Sequence, residues 1–124
     1  MIDIQIDALN RAVEELRNLL KDGLQSTDIW DAHTGLSLAA INPQPAAVAL
    51  FTSLTQGIKD TLSGAGFPGL GRSFMLELEG GYTVILLQHH ESLVQGIMVD
   101  NKKVNLGMLL SVAVPKMLST VAMP

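Results

Sequence analysis

The chain has 124 residues, 48% of them apolar and 16% charged, a composition that excludes disorder over most of its length and, by surface scaling, supports one core in one domain covering residues 1–124, with about two-thirds of its surface buried. Eight Lys and Arg against twelve Asp and Glu leave a net charge of -4, so no basic field exists to hold nucleic acid or anionic lipid. With no Cys there is no disulfide framework, no cysteine zinc site and no thiol nucleophile.

The N-terminus, Met1-Ile2-Asp3, has neither a basic n-region nor an apolar h-region, and cytoplasmic residence is the expectation. Between Ile2 and Leu24, Leu9, Ala12, Val13, Leu16, Leu19 and Leu20 recur at intervals of three and four, with charged residues between them, which predicts an amphipathic helix. Lys21 in its last turn and Gly23 beyond, a residue free to take positive φ, mark its end. Two strands follow, Thr27 to Asp31 and Leu36 to Ile41, joined by a hairpin whose turn needs Gly35. Pro43 and Pro45 stop the second strand, because neither can donate to a ladder, and a second helix runs to about Ser63.

This helix carries Ala47, Leu50, Phe51, Leu54, Ile58 and Leu62 on a face read as core-facing. Ala46, Ala49, Ser53 and Gly57 form a second stripe, small and uncharged, that admits a close neighbouring backbone and is read as a helix-to-helix contact. A glycine-rich loop, Gly64 to Gly71, leads to three strands, Arg72 to Glu79, Tyr82 to His89 and Leu93 to Val99. Connections as short as Gly80-Gly81 and His90-Glu91-Ser92 exclude crossover helices, so these strands form an antiparallel meander. Both faces of the middle strand are apolar, and both therefore need cover, which predicts helix, sheet and helix in three layers. Val104 to Met123 is a final helix, broken or kinked at Pro115, and its apolar run is far shorter than the roughly 20 residues a bilayer requires.

Few side chains are arranged for chemistry. Gly64, Gly66 and Gly69 match a dinucleotide fingerprint in spacing, but they follow a helix and precede a strand, the reverse of the order that aims a helix N-terminus at phosphate. Adjacent His89 and His90 at a strand end point to opposite faces and cannot share a metal ion. His33 lies in a turn with no nucleophile elbow in the chain. Asp28 and Asp31 face opposite sides of their strand and are read as a solvated strand residue and a turn acceptor. Trp30, on a strand read as an edge, is assigned to the core, and Met108, Met117 and Met123 to gap filling in the last helix. No enzyme, cofactor or metal is expected.

The element order α-β-β-α-β-β-β-α, together with three strings, resembles the roadblock and dynein light chain family. The strings are Asp31-Ala32-His33-Thr34-Gly35-Leu36-Ser37-Leu38-Ala39 for its first hairpin, Gly81-Tyr82-Thr83-Val84 for the entry to its central strand, and Val104-Asn105-Leu106-Gly107-Met108-Leu109-Leu110 for the Asn-Leu-Gly signature of its last helix. Pro115 departs from the family, whose last helix is continuous there. The resemblance implies an α/β (α+β) fold, three-layer α/β/α and profilin-like, with a mainly antiparallel five-stranded sheet. It also implies a homodimer formed through the strand after helix 2 and through helix 2 itself. On that basis the interface is placed at Ala46, Ala49, Ser53, Gly57, Arg72, Phe74 and Leu76. Members of prokaryotic type resemble regulators and scaffolds of small Ras-like GTPases, some of which promote hydrolysis, and such a role needs no arginine inserted from this chain. A dynein-light-chain-like adaptor and a small-ligand sensor, with Tyr82 and Gln88 as polar groups of a cavity, are the alternatives.

Overall fold

The computed structural model describes residues 6–121. Helix α1 (Ile6–Leu20) is followed by a 3-10 turn (Lys21–Gly23), strands β1 (Leu24–Asp31) and β2 (Leu36–Ile41), helix α2 (Ala47–Gly64), and strands β3 (Ser73–Leu78), β4 (Tyr82–Gln88) and β5 (Leu93–Asp100). The C-terminal helical stretch comprises α3 (Leu106–Met108), a π-helical turn (Leu109–Ala113) and α4 (Val114–Thr120). The expected starts and ends of the first and last helices at Ile2 and Met123 lie outside the described residues, as does the reading of Met123.

The five strands run β2-β1-β5-β4-β3, every neighbouring pair antiparallel. β1 is therefore an interior strand, not an edge, because β5 returns from the meander to pair along it from Leu24 to Asp31. The edges are β2 and β3. α2 lies in the chain between the two edge strands, on the face opposite α1.

One face is closed. α1 buries Leu9, Ala12, Val13, Leu16 and Leu20, the set its periodicity predicts apart from half-buried Leu19. These pack with Leu109, Ala113, Val114 and Met117 over Ile29, Ile85, Leu87, Ile97 and Val99. The opposite face has a smaller cluster, Trp30, Val84, Leu86 and Val94, against which Val48 and Phe51 of α2 pack.

Local chemistry explains the connections. Asp31 accepts from His33 N at 3.0 Å and from Thr34 Oγ1 at 3.2 Å, which fixes the first hairpin as a turn acceptor should. At the end of α2, Phe67 N donates to Leu62 O and Gly66 N to Ser63 O, a Schellman closure that places Gly66 at φ 75. The positive φ expected at Gly23 is taken by Lys21 at φ 53. Gly23 serves a different need: a Cβ there would collide with the Val104 side chain.

The last helix is neither broken nor regular. The π turn ends just before Pro115, which then occupies the first turn of α4, where its missing N–H and its ring are tolerated. Asn105 caps the stretch, its Oδ1 accepting from Met108 N at 3.1 Å, which gives the Asn-Leu-Gly string a physical role.

Two stability measurements test this account. Asn105→Ala is expected to cost about 1 kcal/mol in urea unfolding, and Asn105→Asp much less. Gly23→Ala should cost about 1–3 kcal/mol through overpacking, and Val104→Ala in the same chain should recover part of that loss.

Candidate functional site

Few residues of α2 face the sheet. Those that do are Val48, Phe51, Thr52 and Thr55, and only Thr55 is fully buried. Trp30, 1% exposed, anchors the helix by donating from Nε1 to Thr52 Oγ1 at 2.9 Å. Its ring occupies space left free at Gly96, where a Cβ would stand 3.3 Å from Cζ3. Trp30 is thus a core residue, as the sequence suggests, but from an interior strand.

The helix is rotated from the orientation its period predicts. Ala47, Leu50, Leu54, Ile58 and Leu62 do not seal the core: Leu50 is 59% exposed and the others are half-buried, outside both core clusters. The stripe Ala46, Ala49, Ser53 and Gly57 is exposed. Ala49, Ser53 and Gly57 line an open groove that also includes Ala32 and Gly35 of the first hairpin. On the β3 side, Leu50 stands with Leu78, itself 39% exposed. Phe74 and Leu76 of β3 are half-buried on the same layer, opposite Leu86 and Val84. Arg72 lies just before the strand, its Nε donating to Gln88 O at 3.3 Å.

The seven residues expected at the interface therefore all lie on the α2 layer. They split into two groups, the small stripe toward the hairpin and the β3 residues toward the sheet edge. Between them runs the Leu50, Leu54, Ile58 stripe, which sequence reasoning assigns to the core; its apolar character is the available signal, and period alone cannot separate core from contact surface. β3 itself is an edge strand with one side unpaired among the described residues.

Elsewhere the polar residues do structural work. Gln95, fully buried from β5, donates through Nε2 to Thr27 Oγ1 at 3.0 Å, and Thr27 donates to Gly96 O at 2.8 Å. Gln95 Oε1 is left to accept from His89 Nε2 at 2.8 Å, which places a proton on Nε2. Its Nδ1 is buried without a partner. Burial pushes the His89 pKa below its usual 6.5; the Gln95 contact opposes this and the Arg72 charge adds to it. His33 is exposed in the hairpin, and no group of three or more His, Cys, Asp or Glu suited to a metal occurs among the described residues. Gln88 turns back on its own loop, donating to His90 O and to Glu91 O at 3.1 Å, so it does not converge with Tyr82 at the far end of β4. Asp28 is not solvated. It is 7% exposed and accepts from Ser37 Oγ at 2.6 Å, and burial raises its pKa above the ordinary 3.8. No helix among the described residues is long and apolar enough to cross a membrane.

No family model matches the sequence, and no curated protein is similar to it. Solved structures do match. MglB of Myxococcus xanthus superposes with a TM-score of 0.79 at 12% identity, covering 98% of this chain and 90% of that one. A Roadblock/LC7 domain from Streptomyces avermitilis gives 0.64 at 14% identity, over 90% of each chain. This chain has the roadblock fold. The gliding protein MglB of Thermus thermophilus shares it, at a TM-score of 0.78 and 12% identity over 98% of this chain and 93% of its own. The expected three-layer architecture and antiparallel five-stranded sheet are those of the roadblock fold as seen here.

The buried histidine gives the roadblock core a pH dependence. Above pH 6.5 His89 is neutral folded or unfolded and contributes none. As pH falls below 6.5 the unfolded chain takes up a proton that the buried ring resists, so stability is lost down to the lowered folded pKa. Asp28, with its raised pKa, acts in the opposite sense at lower pH. The urea midpoint of the wild type is expected to fall more between pH 7.5 and 5.5 than that of His89→Gln, in which Asp28 is unchanged; parallel falls would refute the assignment.

Proposed function

We propose that the protein is a roadblock-family regulator or scaffold of a small Ras-like GTPase, non-catalytic in itself and acting as a homodimer in the cytoplasm. One observation carries the reading: a helix with an open apolar face, marked by Leu50, lies beside an unpaired edge strand, β3. An exposed strand edge and an exposed apolar stripe are both costly to leave in water, and a second copy related by a two-fold axis covers both with the same surface used twice.

In this reading β3 pairs with its copy, and α2 packs across the axis. Ala46, Ala49, Ser53, Gly57, Arg72, Phe74 and Leu76 make up the surface, with Leu50, Leu54 and Ile58 as its apolar centre. Supporting it are the roadblock fold and the three sequence strings that resemble the family. Regulation of a GTPase follows from that resemblance. The chain need not insert an arginine, because a docked regulator can reorganise the GTPase's own switch residues.

Ala49→Glu and Leu50→Glu change exposed positions and leave the fold intact, whereas Phe74→Asp also disturbs the smaller core cluster. Light scattering should report a dimer for the wild type and at least tenfold weaker association for Ala49→Glu and Leu50→Glu, about 1.4 kcal/mol or more. Unchanged mass in both would refute the surface. Mixing the dimer with Ras-like GTPases of its own genome, loaded with GDP or a GTP analogue, should yield a complex in one nucleotide state. A dimer that ignores all of them would transfer the reading to a structural adaptor.

A further inference from the structure

Beneath the N-terminal part of α2 the molecule contains a cleft of about 280 Å³ that the regulator reading does not use. Its walls are Trp30 of β1, Phe51 of α2, Val84 of β4 and Met98 of β5, with exposed Leu50 and Leu78 at its rim. The space exists because α2 stands off the sheet at this end: Ala46 and Ala47 are too small to fill it, and Gly96 contributes no side chain.

One ionisable group lines it. Asp28 is more than nine-tenths buried, and Ser37 is the sole donor to its carboxylate among the described residues, reaching Oδ1 and leaving Oδ2 without one. No Lys, Arg or His lines the cleft. Burial raises the Asp28 pKa, the mark of an anion short of compensation. A buried carboxylate is stabilised by a cation or by several donors, and Asp28 has one donor and lines a cleft walled mainly by apolar side chains. An anionic ligand would meet this charge unscreened, and a purely apolar one would leave it unpaired. Only a ligand with an apolar body and a positively charged donor satisfies both the walls and the carboxylate.

We propose that the cleft binds a small organic amine, its ammonium group donating to Asp28 Oδ2 and its apolar body lying against Trp30, Phe51 and Met98. The site stands on the cleft and does not depend on a GTPase. Ala46 and Leu50 belong both to its rim and to the proposed dimer surface, so pairing and occupancy meet at those two residues.

Trp30 is the only tryptophan in the chain, and its emission reports the cleft directly. The probes are 4-phenylbutylamine, the neutral 4-phenylbutanol and the anionic 4-phenylbutyrate. The amine is expected to shift Trp30 emission saturably and to bind at least tenfold more tightly than the alcohol, with no response to the acid. Asp28→Asn preserves the shape and an acceptor for Ser37, and should bring the amine to the affinity of the alcohol, circular dichroism confirming the fold. Ala47→Leu, which fills the cleft from its α2 wall, should abolish the response to both; it keeps the test decisive if Asp28→Asn does not fold. Equal binding of amine and alcohol, or an amine response unchanged by either variant, overturns the proposal. So does the absence of any response in the wild type, and a response that appears only in Ala49→Glu would identify the occupant as a second copy of the chain.

Discussion

A single helix cannot cover one face of a five-stranded sheet. Strands about 4.8 Å apart put the outer pair of this sheet roughly 19 Å from each other, whereas a helix with its side chains is about 10–12 Å across. On one face the chain supplies two helical elements, α1 and the α3 to α4 stretch, and the core closes over Ile29, Ile85, Leu87 and Ile97. On the other it supplies only α2, the link in the chain between β2 and β3. The cleft beside Asp28, the exposed Leu50 and Leu78 and the uncovered flank of β3 all follow from that shortage of cover.

The position of α2 rests on few contacts. The indole of Trp30 packs at Gly96 and bonds to Thr52, while Val48 and Phe51 add apolar contact and Thr55 turns its hydroxyl back to Phe51 O at 2.7 Å. Two of the four residues facing the sheet are threonines, while Leu50 on the outer side is 59% exposed and Leu54 and Ile58 are half-buried outside both core clusters. An apolar side chain as exposed as Leu50 is unfavourable in water, and burying it against another surface is favourable.

The closed face is held together by apolar packing and by a buried polar network. Gln95 is fully buried, yet both ends of its amide are engaged, one by Thr27 and one by His89, so its burial costs little. The π turn before Pro115 lets the last helix keep Leu109, Ala113 and Met117 in the core despite a residue that cannot donate to a helix ladder. The α2 layer has no such network among the described residues, and its exposed large apolar side chains are Leu50 and Leu78.

Much of this was legible in the residues. The face of α1, both hairpins, the antiparallel meander and the need for two covering layers follow from period, turn chemistry and strands apolar on both sides, because these are local consequences of backbone geometry. The family resemblance of three strings pointed to the same fold. Tertiary structure alone decided that β1 is interior, that Asp28 is buried and that Leu50, Leu54 and Ile58 stay outside the core clusters. Each of those depends on which distant segment comes to lie alongside: β5 beside β1, Ser37 over Asp28, α2 rotated about Trp30. Sequence period states that a residue has a face, and only packing against the rest of the chain states what that face meets.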